Sequence, residues 1–281
     1  MIPIDLSLIQ DTLQAALKED IGSGDVTSRA VVPDTATATA RYATKQGIVV
    51  SGLPVVEQLL RMVDSKLRLR ILTPDGSCVE AGTVLAEMQG SARSILAVER
   101  VTLNMLQRMC GIATMTQAYV KRVQGTKALV IDTRKTVPGL RLLDKYAVAC
   151  GGGTNHRMGL FDAVLIKNNH LAFHQSLSET LAAARRRLGA SVKLEVEVTT
   201  LDQLREAIRE KADIILLDNF TPKRTREAVS ICGGVIPLES SGGITLDNIR
   251  DYAEAGVDRI SVGALTHSVL AADIHLQVTP G

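Results

Sequence analysis

VKLEVEV, residues 192–198, alternates charged with apolar side chains. Side chains alternate between the two faces of a strand, so Lys193, Glu195 and Glu197 share one face and the apolar residues share the other. A face with three charges cannot be covered by apolar helices, because buried charges need polar partners. A closed barrel with a charged interior provides such partners, and this segment therefore predicts a barrel strand.

The segments around it alternate strand-like apolar runs with helical stretches, such as those at 176–188 and 201–211, which predicts a parallel α/β sheet. The other five strand-like runs are ALVID (128–132), AVLIK (163–167), DIILLD (213–218), VIPLE (235–239) and RISVG (259–263). Six strands, with a seventh expected near 145–153, fit a TIM-like barrel, complete or truncated. A doubly wound sheet is the alternative, but no GxGxxG motif follows the first strand.

The residues that precede this region predict a separate domain. Apolar spacing indicates an amphipathic helix over 6–18, and GSGD at 22–25 is interpreted as the stop of this helix and the cap of the next segment. Short apolar runs between turn residues over 36–90 indicate a small antiparallel sheet. Helical spacing over 92–124 predicts two helices separated at Gly111.

Composition restricts the class of protein. Of 281 residues, 46% are hydrophobic and 22% are charged, which is typical of globular proteins and excludes a disordered chain. The formal charge of +2 and the absence of Trp disfavour a nucleic-acid binder, which needs basic surface and aromatic stacking. Four scattered cysteines without CxxC spacing indicate neither a zinc site nor a disulfide framework. With no apolar run of membrane-spanning length and no signal-peptide pattern, we expect a soluble, cytoplasmic protein.

Polar residues stand directly after nearly every predicted strand. Ligands of parallel α/β proteins bind at the carboxyl ends of strands, so these residues are candidates for the site. They are Thr133, Arg134 and Lys135; Lys167, Asn168, Asn169 and His170; Glu197; and Asp218 and Asn219. The last two strands end in SSGG (240–243) and GALTH (263–267), each before a helix. Glycine lets backbone N–H groups approach an oxyanion and a helix N-terminus favours negative charge, so these loops predict a phosphate site.

A cationic segment lies between the first two strands. Residues 132–170 hold six Lys or Arg against three Asp, and a glycine run at 151–153 would let the loop approach a ligand closely. We expect the segment to attract a polyanionic small molecule, with Arg suited to carboxylates and Lys to phosphates. Simpler interpretations stay open: Arg134 and Lys135 as a solvated turn, SGG as a plain turn, and Glu195 as the partner of another interior charge.

Together these residues resemble the quinolinate phosphoribosyltransferase family, the decarboxylating nicotinate-nucleotide pyrophosphorylases of NAD biosynthesis. The resemblance runs nearly end to end. It is carried by LKEDIGSGDVTS (17–28), ERVTLNMLQRMCGIAT (99–114), DTRKTVPGLR (132–141), KYAVACGGGTNHRMGLFDAVLIKNNH (145–170), LEVEV (194–198), DIILLDNF (213–220), LESSGGIT (238–245) and GVDRISVGALTHSV (256–269). One position departs from the family pattern, because Asn168 stands where the family usually has an acidic residue.

The resemblance implies a fold, a reaction and an assembly. The fold is an N-terminal open-faced α/β sandwich over 1–112 and a TIM-like α/β barrel of about seven strands over 113–270, with the active site in the barrel. The tail, about 271–281, can rejoin the first domain. The implied reaction converts quinolinate and phosphoribosyl pyrophosphate, with Mg²⁺, into nicotinate mononucleotide, pyrophosphate and CO₂. The implied assembly is a homodimer in which Arg100 reaches the neighbouring site, and a higher oligomer stays open.

The resemblance also implies which residues bind the substrates. Arg134, His156 and Arg157 would hold the two carboxylates of quinolinate, and Lys135 and Lys167 would lie between it and the phosphoribosyl donor. The cradle of the 5′-phosphate would be formed by Ser241, Gly242, Gly243, Val262, Gly263 and Ala264, with His267 nearby and Thr133 also among the substrate-binding residues.

The implied catalytic residues are Lys135, Lys167, Glu197 and Asp218. Glu197 and Asp218 resemble the carboxylates that hold the ribose hydroxyls and, directly or through water or pyrophosphate, the Mg²⁺. Departure of pyrophosphate gives the ribose C1 cationic character, which two carboxylates can stabilise. The ribosylated ring is a pyridinium that accepts the electrons left by CO₂, so Cys150 is expected to be a packing residue and not a nucleophile.

Three other functions are weighed against this one. The paralogous molybdenum-transport family shares a TRKT-P-G segment, but it does not keep the NHR and IK-NNH patterns together. A regulatory barrel that binds a phosphorylated metabolite would not require Glu197 and Asp218 beside the cationic segment. A nucleic-acid binder is disfavoured by the balanced charge and the few aromatic residues.

Overall fold

The computed structural model describes residues 4–188 and 192–281, which form two compact units. The first comprises the described residues up to 117 with Thr136–Gly152 and Leu265–Gly281, and the second comprises Ala118–Lys135 and Gly153–Ala264. None of the helices in the described ranges is long and apolar enough to cross a lipid bilayer.

A 3-10 turn, Leu6–Ile9, opens the described chain. The subsequent helices and strands are α1 (Gln10–Ile21), α2 (Val26–Val31), β1 (Thr37–Thr44), β2 (Ile48–Val49), α3 (Leu53–Val63), β3 (Arg68–Ile71), β4 (Cys78–Val79), β5 (Val84–Ser91), α4 (Ala92–Arg122), β6 (Leu129–Ile131), α5 (Arg141–Cys150), β7 (Val164–Ile166), α6 (Asn168–Leu171), α7 (Leu177–Leu188), β8 (Leu194–Val198), α8 (Leu201–Arg209), β9 (Ile214–Asp218), α9 (Pro222–Cys232), β10 (Leu238–Ser241), α10 (Ile249–Glu254), β11 (Arg259–Ser261), α11 (Ala264–His267) and β12 (Ile274–Pro280).

The first unit contains an antiparallel sheet in the order β12–β1–β5–β3 and a small pair, β2–β4. This confirms the antiparallel sheet predicted over 36–90, although that prediction lacked helix α3. Strand β12 comes from the C-terminal segment and pairs with β1 from Ala38–Pro280 to Thr44–Ile274. The GSGD segment stops α1 at Gly22, whose φ is +52°, and Asp25 caps α2 by accepting the Ser28 N–H.

Helix α4 corrects the prediction of two helices separated at Gly111. The helix runs without a break for 31 residues, from Ala92 to Arg122. A Cβ atom at Gly111 would lie 2.2 Å from the Leu270 carbonyl oxygen. The glycine therefore serves a close backbone approach inside the first unit, which outweighs the roughly 1 kcal/mol that glycine costs a helix interior.

The second unit contains a parallel sheet in the order β6–β11–β10–β9–β8–β7. The prediction of a seventh strand near 145–153 is wrong, because Arg141–Cys150 forms helix α5. A single parallel bridge between Ile131 and Thr154 lies beside β6 instead. In the described residues the sheet thus consists of six strands extended by one bridge.

Strand β8 has the buried charged face that its alternation predicts. All five of its residues are buried, with Glu195 and Glu197 only 5% and 9% exposed. In the parallel register Glu197 pairs with Leu216 of β9, which pairs with Glu239 of β10. Paired residues of neighbouring strands share a face of the sheet, so carboxyl groups from β8 and β10 lie on the same face.

Candidate active site

Two guanidinium groups, those of Arg134 and Arg157, lie near each other, beyond the end of β6 and beyond a short bridge segment, residues 154–156. Burial lowers the pKa of Arg157 and the positive charge of Arg134 lowers it further, while Glu195 and Asp162 act in the opposite direction. The Arg157 Nη1 donates to the Ala163 carbonyl at 3.0 Å, which orients this guanidinium. Two neighbouring positive charges suit a ligand that carries two carboxylates.

The His156 imidazole is oriented by contacts on both ring nitrogens. Its Nδ1 accepts the Arg157 backbone N–H at 2.7 Å. Its Nε2 lies 3.2 Å from Glu195 Oε2 and 3.8 Å from Glu239 Oε1. The backbone of His156 is also held, because its N–H donates to Asp132 Oδ1 at 2.8 Å. Since Nδ1 is an acceptor, the ring proton of the neutral imidazole lies on Nε2 and faces the two carboxyl groups.

Glu195 and Glu239 form a carboxyl pair in the sheet interior. Glu195 is partnered by the His156 imidazole. Glu239 is missing from the residues that the sequence indicates, yet it is 0% exposed. Burial raises the pKa of Glu239 to about 7, and the charge of Glu195 contributes, while His156, Ser261 and Arg259 act in the opposite direction. The available signal was its position at the end of VIPLE, where sequence alone does not show which face is buried.

Lys167 and Glu197 lie together at the ends of β7 and β8. The Lys167 Nζ is 3.7 Å from Glu197 Oε2, and the Lys167 side chain is half exposed. The Asn168 backbone N–H points to Glu197 Oε1 at 3.5 Å, a long contact. The Lys167 N–H donates to His170 Nδ1 at 2.8 Å, which fixes the turn into α6. Asn168 approaches Glu197 through its backbone N–H, so the contact does not depend on the side chain. It is therefore present although Asn168 stands where the family usually has an acidic residue.

Asp218 and the SSGG turn are joined through Asn219. The Asn219 N–H donates to the Ser241 carbonyl at 2.8 Å, and its side-chain amide donates to Asp218 Oδ2 at 3.0 Å. A Cβ atom at Gly242, whose φ is +98°, would lie 2.2 Å from Asn219 Oδ1. The turn therefore requires glycine at 242, and the next residue, Gly243, has a φ of +61°.

Backbone groups of both predicted phosphate loops form hydrogen bonds within the second unit. The Asn248 side-chain amide donates to the Gly243 carbonyl at 3.0 Å, which stabilises the first loop. In the second loop the Val262 N–H donates to the Ile131 carbonyl at 2.9 Å, and Val262 is buried. The main chain of Val262 thus anchors residues 263–264 to β6, and its assignment to the phosphate cradle stays a prediction.

The remaining candidates lie in exposed turns or in the first unit. Thr133 Oγ1 accepts the Lys135 N–H at 3.0 Å in an exposed turn after β6. Arg100 and His267 belong to the first unit and are exposed. Lys145, which the sequence places in the cationic segment, is only 1% exposed and also lies in the first unit.

Comparison with protein families finds two matching models. Residues 25–110 match the N-terminal domain of quinolinate phosphoribosyl transferase, and residues 112–277 match its C-terminal domain. Among curated proteins, a nicotinate-nucleotide pyrophosphorylase [carboxylating] of Mycobacterium leprae is 44% identical over 275 residues, covering 96% of each chain. A probable nicotinate-nucleotide pyrophosphorylase [carboxylating] of Bacillus subtilis is 42% identical over 261 residues, covering 93% of this chain and 90% of the relative.

Solved structures resemble the chain along its whole length. The nicotinate-nucleotide pyrophosphorylase of Francisella tularensis superposes with a TM-score of 0.94 at 40% identity, covering 99% of this chain and 98% of that one. The NadC protein of Streptococcus pyogenes superposes with a TM-score of 0.96 at 36% identity, covering 100% of both chains. These similarities confirm the predicted fold class, a small N-terminal α/β domain followed by a TIM-like α/β barrel.

Proposed function

The chain belongs to the quinolinate phosphoribosyltransferase family, and from this premise we propose how its residues divide the work of the reaction. The enzyme transfers the phosphoribosyl group of phosphoribosyl pyrophosphate to quinolinate and releases pyrophosphate and CO₂, in the biosynthesis of NAD. The observation that carries this function is the match of both family domains over residues 25–110 and 112–277.

Arg134 and Arg157 are the direct ligands of the two quinolinate carboxylates in this proposal. Support comes from their proximity, since the charge of Arg134 lowers the pKa of Arg157 and an anion bound between the two would offset this repulsion. His156 orients Arg157 through the Nδ1 contact with its N–H. A direct bond from His156 to quinolinate, as the family resemblance implies, would require the ring to leave that N–H or Glu195.

Glu197 and Asp218 stabilise the positive charge that develops at the ribose C1, and Lys135 and Lys167 bind the anionic groups of the donor. The salt bridge between Lys167 and Glu197 supports this pairing, because it holds a cation beside a carboxylate at the ends of β7 and β8. The 5′-phosphate binds to the Ser241–Gly243 turn and to residues 263–264, with Thr133 as a further contact. The engagement of Asn219 with Ser241 and Asp218 supports this placement, because it connects the turn to a catalytic carboxylate.

Mg²⁺ fits the same pair of carboxylates. Glu197 and Asp218 provide hard oxygen donors from neighbouring parallel strands; the Glu197 side chain is 12% exposed and Asp218 is partly exposed. We propose that they hold the ion, in part through water or the pyrophosphate. When bound, the ion supplies charge neutralisation for the pyrophosphate leaving group.

The decarboxylation needs no covalent intermediate with the protein. Ribosylation makes the ring nitrogen cationic, so the ring accepts the electron pair left when the adjacent carboxylate departs as CO₂. Cys150 supports this assignment, because burial raises the pKa of its thiol and so disfavours the nucleophilic thiolate.

The assembly and the compartment are also proposals. Arg100 is exposed on α4 and forms no salt bridge within the described ranges, which supports a homodimer in which it reaches the neighbouring site. All four cysteines are free thiols, which supports a reducing cytoplasmic environment.

The test is an assay of the purified protein with quinolinate, phosphoribosyl pyrophosphate and Mg²⁺, following nicotinate mononucleotide and CO₂ in equal amounts. Nicotinate serves as the parallel substrate, since it lacks the carboxylate that is lost. Product from quinolinate alone supports the proposed function. No product from either acid, with phosphoribosyl pyrophosphate still bound, would overturn it and favour a sensor or a molybdenum-locus paralogue.

A further inference from the structure

One buried carboxyl group of the barrel interior has no role in the proposed reaction. Glu239 is 0% exposed, and among the described residues no hydrogen bond of ordinary length reaches either of its oxygens. An ionised carboxylate in such a place is costly unless a donor or a positive charge compensates it. The protonation state of Glu239 is therefore set by its few polar neighbours.

The tautomer of His156 determines which carboxyl group receives the ring proton. Nδ1 accepts the Arg157 N–H, so the proton lies on Nε2. Nε2 is 3.2 Å from Glu195 but 3.8 Å from Glu239. The Nε2–H group thus donates to Glu195. Glu239 does not receive this hydrogen bond and therefore retains its own proton.

The same geometry argues against a metal ion at this cluster. Ligand atoms of His156, Glu195 and Glu239 lie within 4.8 Å of one another, a spacing that a cation could bridge. A cation would need the lone pair of Nε2, and this nitrogen carries the ring proton while Nδ1 accepts the Arg157 N–H. These three side chains are therefore better suited to binding protons than to coordinating a metal ion.

Charged or titratable groups face Glu239 from three sides. Glu195 lies on β8, His156 on the bridge segment, and Arg259 on β11, where it pairs in register with Glu239. The neighbour on β9 is the apolar Leu216. Glu195, whose charge contributes to the raised pKa of Glu239, also acts on Arg157, so Glu239 and Arg157 share this carboxylate as a neighbour.

We propose that Glu239 determines the affinity for quinolinate through its protonation state, without touching the substrate. Its neutral carboxyl group adds no negative charge to the region of His156 and Arg157, where the substrate carboxylates are proposed to bind. Ionisation adds a negative charge 3.8 Å from the ring of His156, the residue that precedes Arg157, and weakens binding of a dianion there. This inference rests on the proposed function, because the dianion is its substrate.

The environment of Glu239 sets the pH at which this change occurs. Burial and the charge of Glu195 raise the pKa of Glu239 to about 7. The neutral form therefore predominates below neutral pH and the ionised form above it. Quinolinate is a dianion throughout this range, so the substrate charge does not change.

The experiment is the titration of the protein with quinolinate alone by calorimetry, at intervals from about pH 6 to about pH 8.5, in the wild type and in Glu239→Gln. Gln is the neutral isostere of the protonated side chain. We expect the wild-type Kd to rise roughly tenfold across this range and the variant Kd to stay near its value at the lowest pH. KM for quinolinate should follow Kd, with kcat changing much less. Glu254→Gln, on the exposed end of α10, is the matched control and should keep the wild-type profile.

An equal rise of Kd in Glu239→Gln would overturn the inference. Failure of the wild type to convert quinolinate would instead overturn the proposed function, so the two failures are distinguishable. If Glu239→Gln does not fold, pH-difference infrared spectroscopy of the wild type replaces it. The carbonyl stretch of a protonated carboxylic acid should disappear near neutral pH, and its absence at the lowest pH would overturn the inference.

Discussion

Asp144 in the first unit and Glu239 in the second are both 0% exposed, but their surroundings differ. Asp144 accepts two hydrogen bonds from Arg108, at 2.9 Å from Nε and 2.8 Å from Nη2. Glu239 has no hydrogen bond of ordinary length within the described parts of the chain, and a second carboxyl group, Glu195, lies nearby. Equal burial is thus compensated at one site by a bidentate ion pair and at the other by retention of a proton.

The difference separates a structural carboxylate from one whose charge can change. The Arg108–Asp144 pair is a bidentate ion pair, in which the planar guanidinium donates to both carboxylate oxygens. Glu239 changes charge near neutral pH, because nothing beside it fully stabilises the anion. Burial alone therefore does not reveal the role of a carboxyl group; its hydrogen-bond partners do.

The largest effect is expected from Asp144→Ala. The substitution leaves Arg108, only 23% exposed in its side chain, without its carboxylate, and we expect a loss of about 3 kcal/mol in the free energy of unfolding. Denaturant unfolding measures it. The double variant Arg108→Met with Asp144→Leu is the control and should recover most of the loss. A loss below about 1 kcal/mol would show that the pair is not the structural element proposed.

Glu239→Gln should have the opposite effect on stability, and only at higher pH. The folded state raises the pKa of Glu239 from 4.5 to about 7, so the folded protein binds more protons than the unfolded chain between these values. Wild-type stability contributed by this group is then present at pH 4.5, falls as the pH rises, and is lost above about 7.

At about 1.4 kcal/mol per pH unit, the wild type is destabilised by up to about 3 kcal/mol at pH 8. Gln cannot ionise, so the variant should be more stable than the wild type at pH 8 and close to it at pH 5. Thermal and denaturant unfolding at the two pH values measure the difference. A variant less stable than the wild type at pH 8 would contradict the assigned protonation of Glu239.

Arg134→Ala tests the contribution of a positive charge in the site to quinolinate binding. Removal of one guanidinium should weaken quinolinate binding by about 1.5 to 3 kcal/mol, or roughly 10- to 150-fold, and leave the fold intact. Calorimetry with quinolinate measures the affinity, and a circular dichroism spectrum checks the fold. Lys127→Ala, which breaks an exposed ion pair with Asp258, is the control and should leave affinity unchanged. An unchanged Kd in Arg134→Ala would remove this residue from the site.

The smallest effect is expected from Asn168→Asp, which restores the usual acidic residue. The contact of Asn168 with Glu197 is made by its backbone N–H, so the side-chain change should alter KM for phosphoribosyl pyrophosphate by less than about tenfold. Steady-state kinetics measure it, with Asn169→Asp as the control at the neighbouring exposed position. A larger change would place the side chain of position 168 beside the donor or its ion.

The strands of the barrel were predictable because their signal is local. Apolar runs such as those at 128–132 and 213–218 need no partner to be recognised, and the predicted strand β8 is present with its charged face buried. The predictions from sequence are wrong where a contact between residues far apart in the chain determines the local structure. Gly111 lies inside a continuous helix, where the close approach of the Leu270 backbone requires a residue without a side chain, and no residue near 111 indicates this. The segment 145–153 is mostly helix α5, and the sheet gains only a bridge at Thr154.

The sequence by itself determined the alternation of strands and helices, the charged face of β8, and the family motifs, because each depends on neighbouring residues and the backbone period. Only the tertiary structure decided which charges meet. The meeting of His156 with Glu195 and Glu239 depends on strand order and register, which bring three distant segments together in one interior. Burial there also removes the water that would otherwise stabilise every carboxylate equally, and so makes the charge of Glu239 depend on its neighbours.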